Sequence, residues 1–217
     1  MNNIKRWFRN FAIPNLMSYL CFAMGLIYVA DLLLTFVKTG LDTNLTLLFL
    51  FSRNSILSGQ IWRIFTYAAI PINDNPFWIV ITLILYYSIG RELESAWSAH
   101  KVTLYVLTGW ALTTVTGFFT GYISNYYIYL GLFLAYGMVM PHMQFRLFFA
   151  IPVEARVLAM ADAVIMLIML IVMHDFAVIP AFVTFAIFFG KDLITPIKNR
   201  RRHQQFMNAF KHRNDDK

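Results

Sequence analysis

Apolar residues in this chain gather into long unbroken runs instead of alternating with polar ones at a strand or surface-helix period. The runs are Phe11–Val37, Phe77–Gly90, Val102–Gly121, Tyr126–Pro141, Val157–Met173 and Phe176–Gly190. A helix needs about 20 mostly apolar residues to cross the hydrocarbon core. The pattern therefore predicts six spans, the second, fourth and sixth shorter than average. Short spans imply local thinning of the bilayer or shielding by neighbouring helices. The first run is too long for a cleavable signal peptide, and no small-residue cleavage site ends it.

Composition sharpens the picture. Apolar residues make up 59% of the 217 and charged residues 13%, far from the balance of a soluble domain. A cytosolic enzyme, a disordered chain and a disulfide-stapled module are excluded, and the lone Cys21 has no partner for a bridge or a metal. The net charge of +7 is placed for topology. Lys5, Arg6, Arg9, Arg91, Lys101, Arg146, Arg156, Lys191 and the tail fall on one face, leaving only Lys38, Arg53 and Arg63 on the other. Basic residues mark the cytoplasmic side, so both termini are expected there. The run Lys198–Arg202 reads as an anchor to anionic headgroups, not a nucleic-acid patch. The expected organisation is a single membrane domain, 1–197, followed by a basic cytoplasmic tail, 198–217.

The first two runs are separated by about 38 residues, too many for a simple connection. They include Leu47-Leu48-Phe49-Leu50-Phe51, too short to cross and suited to the membrane surface or the flank of a bundle. Then comes Gly59-Gln60-Ile61-Trp62-Arg63. Trp62 suits an interface, and the five donors of Arg63 can bind several loop carbonyls at once. An ordinary interfacial Trp-Arg pair is the plainer reading.

These residues, with Gly90-Arg91-Glu92-Leu93-Glu94 closing the second run, resemble the rhomboid superfamily. Gly131 and Pro141 in the fourth run and Ile151-Pro152-Val153 before the fifth continue the likeness, which covers roughly Leu47 to Met173. It implies an all-α integral membrane fold: a six-transmembrane-helix rhomboid-like bundle with a long, partly membrane-embedded outer loop between helices 1 and 2. It further implies a catalytic serine opening the fourth span and a histidine in the sixth. Counting back from Gly131 and Pro141, the serine position holds Tyr126 and the following glycine position Tyr127. The histidine and asparagine of the second span fall at Trp78 and Thr82, neither able to supply the same donors. A phenol is a poor substitute for an activated serine, and its ring fills space a substrate carbonyl needs. Ser124 lies two residues from the family position and faces another direction on a helix. It is either a rearranged nucleophile or a capping serine. His174 is either its base or, with Asp175, the turn between spans five and six.

The resemblance thus implies a pseudoprotease that binds transmembrane or membrane-proximal segments of clients. An active serine protease using Ser124 and His174 is the alternative. Asp31 and Asp162 sit inside apolar runs, where an acid is expensive. They raise a third reading, ion-coupled transport, although no inverted repeat or Gly/Pro-broken helix pair accompanies them. Helix packing or a buried hydrogen bond is the role expected for both, each near enough to a span end to reach the interface. Gly117 with Gly121, and Gly131 with Ala135, are spaced for close helix packing. No metal or cofactor is expected. The partners expected are the lipid bilayer and client spans, with no nucleic acid. Chain length and the lack of a eukaryotic retention signal point to a bacterial cytoplasmic membrane.

Overall fold

A computed structural model describes residues 12–37, 45–147 and 151–190. Lys5, Arg6, Arg9, Lys38, Lys191 and the basic tail 198–217 lie outside the described residues. The protein is mostly helical, 79%. Helix α1, Leu16–Val37, leads into a compact loop region of short pieces: α2 (Leu45–Phe49), β1 (Phe51–Ser52), α3 (Arg53–Leu57), α4 (Arg63–Thr66) and a 3-10 turn, Tyr67–Ala69. Helices α5 (Pro76–Trp97) and α6 (Ala99–Thr120) follow, then strand β2 (Tyr122–Ile123) and α7 (Tyr126–Val139). A hairpin, β3 (Gln144–Leu147) with β4 (Ile151–Glu154), connects to α8, Ala155–Val172. The last helix, α9, covers Phe176–Gly190 and opens with a 3-10 turn at Phe176–Val178. Helices α1 (over Leu16–Thr35), α6 and α8 are each long and apolar enough to cross a membrane. They mark a membrane protein. The segment 45–75 defines one end of the bundle, the loop end; the β3–β4 hairpin defines the other.

Helix α5 is longer than its apolar run. Asn75 caps it by accepting from Phe77 N at 2.9 Å, with Pro76 in the first turn. It then continues past Gly90 through Arg91, Glu92 and Glu94, because the buried positions Ile79, Tyr86, Ile89, Gly90 and Leu93 keep one face inward. That extension docks α1. A Cβ on Gly90 would lie 2.3 Å from the Met17 Cβ, so only glycine lets the helices approach this closely. One turn on, the Glu94 carboxylate accepts from Asn15 N at 2.9 Å and Leu16 N at 3.2 Å, satisfying free donors at the start of α1.

Two features depart from the all-α reading. Strand β1 pairs antiparallel with β2, Phe51 opposite Ile123, and β3 pairs with β4, Gln144 opposite Glu154. Strands of two to four residues are too short to leave a period-two signal in sequence. The β1–β2 pair also takes the place of the small-residue seam expected on α6. Gly117 faces Phe51 and Ile123, each 2.7 Å from where its Cβ would be, so it admits the loop and not a helix. Gly121, at φ +87°, ends α6 as a left-handed cap. Phe51, fully buried, meets Tyr67 and Phe118 edge-on at 5.5 and 5.4 Å and centres this core.

The chain divides into two compact units, Met1–Thr184 and Phe185–Lys217. In the second, the described residues 185–190 carry Phe185 and Phe189 stacked 5.0 Å apart.

Candidate functional site at the loop end of α7

The loop region is held by one cation. Arg63, 7% exposed, donates from Nε to Gln60 Oε1 at 2.6 Å. From Nη1 it donates both to Leu47 O at 2.8 Å and to Leu50 O at 2.7 Å. Its guanidinium thus joins the end of α2 to the turn at Gly59, whose φ of +105° no side chain adopts readily. Trp62, half exposed, makes no part of the clamp. Tyr67 fixes the next turn through Trp110 O at 3.1 Å and Thr114 Oγ1 at 3.0 Å. Burial pushes its phenol above the ordinary tyrosine range, and the Thr114 bond draws it partly back.

Helix α7 begins against this clamped loop. Asn125, 3% exposed, donates from Nδ2 to Ile70 O at 2.8 Å and Ala68 O at 3.3 Å, and Tyr129 OH adds a bond to Ala68 O at 3.0 Å. Ser124 Oγ accepts from Tyr126 N at 3.2 Å and donates to Asn125 Oδ1 at 3.4 Å. It therefore acts as a capping group. Tyr127 reaches from α7 to Asp175, its phenol donating to Oδ2 in a short hydrogen bond. Asp175 Oδ1 also accepts from Ala177 N at 3.1 Å, opening α9. His174 sits exposed in that turn, at φ +53°.

Tyr126 is half buried, and among the described residues its hydroxyl has no hydrogen-bond partner. Thr184 donates to its own helix at Pro180 O, 2.7 Å, and neither Thr82, half buried, nor Trp78, half exposed, bonds to Tyr126. The loop end is thus closed by Asn125 and Tyr127, both missed in sequence. An asparagine before an apolar run reads as a cap, and no local signal tells that its amide serves carbonyls 55 and 57 residues away. Gly131 carries its expected close contact lightly. The position of its Cβ lies 3.4 Å from Ala181 Cβ, an ordinary distance, and its carbonyl accepts from Tyr105 OH at 2.6 Å. The tighter seam on α7 is at Gly137, where a Cβ would lie 2.2 Å from Ala159 Cβ. Pro141 follows α7 and accepts through its carbonyl from Arg156 N at 3.3 Å, at the hairpin end.

The two intramembrane acids have opposite fates. Asp31 Oδ1 accepts from Leu45 N at 2.7 Å and Oδ2 from Thr46 Oγ1 at 3.0 Å, tying α1 to the first turn of α2. Asp162 has no such bond. It belongs to the inward stripe Ala155, Ala159, Asp162 and Met166, is 8% exposed, and its Oδ2 is buried with no hydrogen-bond partner. The carboxyl lies within electrostatic reach of the Tyr86, Tyr105 and Tyr126 phenols, on α5, α6 and α7. Helices α5 and α8 each pack on α7, and no comparable packing joins them to one another among the described residues.

No family model matches the chain, and no curated protein matches it significantly.

Proposed function

We propose that this protein is a rhomboid-like multi-pass membrane protein of six spans that does not cleave peptides and binds transmembrane or membrane-proximal segments of client proteins. One observation carries the reading. At the α7 terminus, where the resemblance puts a serine and a glycine, Tyr126 and Tyr127 stand, and the Tyr127 phenol is committed to Asp175. Space that hydrolysis needs for water and a scissile carbonyl is taken by two rings. The supports around it remain in use: Arg63 clamps the loop, and Gly90 with Glu94 docks α1. Helices α5 and α8 leave Ile84, Ile165 and Ile168 exposed, apolar side chains suited to contact with a client helix. In this reading both termini face the cytoplasm of a bacterial cell.

Photo-crosslinkers placed on α5 and α8 should capture transmembrane segments in native membranes; failure across many positions would overturn the proposal. Tyr126→Ser should also leave a transmembrane reporter uncut while lowering stability slightly, since no base is held opposite. Cleavage by that single variant would show a competent base. The competing reading, a protease built on Ser124 and His174, would be established by fluorophosphonate labelling of Ser124. Transport through Asp31 and Asp162 would require ion or proton flux in proteoliposomes above that of empty vesicles.

A further inference from the structure

Helix α1 packs on α5 and on the 3-10 turn Tyr67–Ala69, but no comparable packing joins it to α6 or α7 among the described residues. A cavity of about 200 Å³, open on one side, lies between them. Val106 of α6 and Ile128 and Leu132 of α7, all buried, form its floor. Leu20 of α1 and Leu107 of α6, both half-buried, stand at its rim with Phe65 of the loop, which is exposed. Tyr19, beside Leu20, is exposed too, so the opening is continuous with the surface that α1 turns to lipid. The two lining side chains with a polar N–H or O–H direct it to loop carbonyls. Trp110 Nε1 donates to Ile64 O at 3.0 Å and Tyr129 OH to Ala68 O at 3.0 Å. The space is therefore apolar, and apolar cavities of roughly 150 Å³ stay dry and accept hydrocarbon. A helix, about 10–12 Å across with its side chains, does not fit. Trp110 lies midway along α6, Ala99–Thr120, which sets the cavity at the depth of the lipid tails.

We propose that this cavity is a binding site for one acyl chain of a membrane phospholipid, which enters beside Phe65 and lies between α1 and α6 over the floor made by α7. The inference stands apart from client binding. Within a bilayer, helices associate through close contact, because lipid tails are as apolar as the helices themselves. An empty void between α1 and the bundle forfeits those contacts, and an acyl chain restores them. Ala68 lines the same cavity, and its carbonyl accepts from both Asn125 and Tyr129. The bound chain thus packs against the turn on which α7 is seated, and its loss loosens α1 and that turn together.

Trp110 reports on the site directly. The full chain, with Trp7, Trp62, Trp78 and Trp97 replaced by Phe, is reconstituted with phosphatidylcholine carrying brominated acyl chains, which quench indole fluorescence on contact, and is then mixed with excess unbrominated vesicles. A second version, with Trp110→Phe and Leu33→Trp, places the reporter on the lipid-exposed face of α1. Fluorescence of Trp110 should recover roughly tenfold more slowly than that of the Leu33→Trp reporter, since affinity differences reside mostly in the rate of release. Ala68→Leu and Val106→Phe, which fill the space from two walls, should bring the Trp110 recovery to the rate of the surface reporter. Mass spectrometry of the intact parent in detergent should show one phospholipid retained per chain, and none in the filled variants. Equal recovery at both reporters overturns the proposal, and this measurement needs no filled variant to fold. Retention of phospholipid undiminished by both filled variants overturns the assignment to this cavity. Quenching of delipidated Trp110 by brominated oleic acid, with none by the phospholipid, overturns the phospholipid as its source.

Discussion

The loop clamp and the inward face of α8 each bury one charge to nearly the same depth: Arg63 is 7% exposed and Asp162 8%. Their surroundings differ completely. Arg63 meets a side-chain amide and two backbone carbonyls, whereas Asp162 keeps an oxygen without any partner. Depth of burial therefore does not separate a charge the fold has satisfied from one it has left open. Satisfaction of hydrogen bonds does, because folding tolerates a buried ion cheaply only where the protein itself supplies its partners.

The difference can be broken from either side. Arg63→Ala should have the largest effect, a loss on the order of 3–5 kcal/mol. It removes charge-assisted bonds worth about 1.5–3 each and leaves the Leu47 and Leu50 carbonyls unmet. Thermal unfolding in detergent would measure it, and a wild-type midpoint would remove the clamp from the account. Gly90→Ala supplies the uncharged control: overpacking against Met17 should cost about 1–3 kcal/mol and loosen α1 from α5. Accessibility of a cysteine at Met17 would report the loosening. Asn125→Ala should cost about 1–2 kcal/mol, since Ile70 and Ala68 lose a donor, and amide exchange should quicken in the 66–70 segment before anywhere else. Asp162→Asn is expected to change least, by about 1 kcal/mol or less and toward greater stability, because it removes a charge without removing a bond. A pronounced loss on Asp162→Asn would show the carboxylate to be structural and erase the contrast with Arg63.

Much of this was legible in the chain. Apolar runs located the helices, because hydrophobic length is a local property. The multivalent use of Arg63 followed from its donor count and the surrounding loop, and the hydrogen bond of Asp31 from the cost of an acid in an apolar run. The reach of α5 to Trp97 was not legible from hydropathy, since Arg91, Glu92 and Glu94 end the apolar run while Leu93 keeps the buried stripe going. Nor were Asn125 and the Tyr127–Asp175 bond, whose partners are set by which helix ends meet, a fact written in no local pattern. Asp162 was legible as an oddity, but not the way it faces: only its place in the stripe Ala155, Ala159, Asp162 and Met166 turns it inward.

The bond from Glu94 to the start of α1 has a consequence for the order of assembly. The acceptor lies 79 residues after Asn15 in the chain. During synthesis α1 is made and inserted long before its cap exists, and two of its leading amides must wait in water or among headgroups until α5 arrives. Insertion and docking of the first helix are thus separate events in time. Any condition that stalls the chain between them leaves α1 as a lone span, without the Gly90 and Glu94 contacts that dock it.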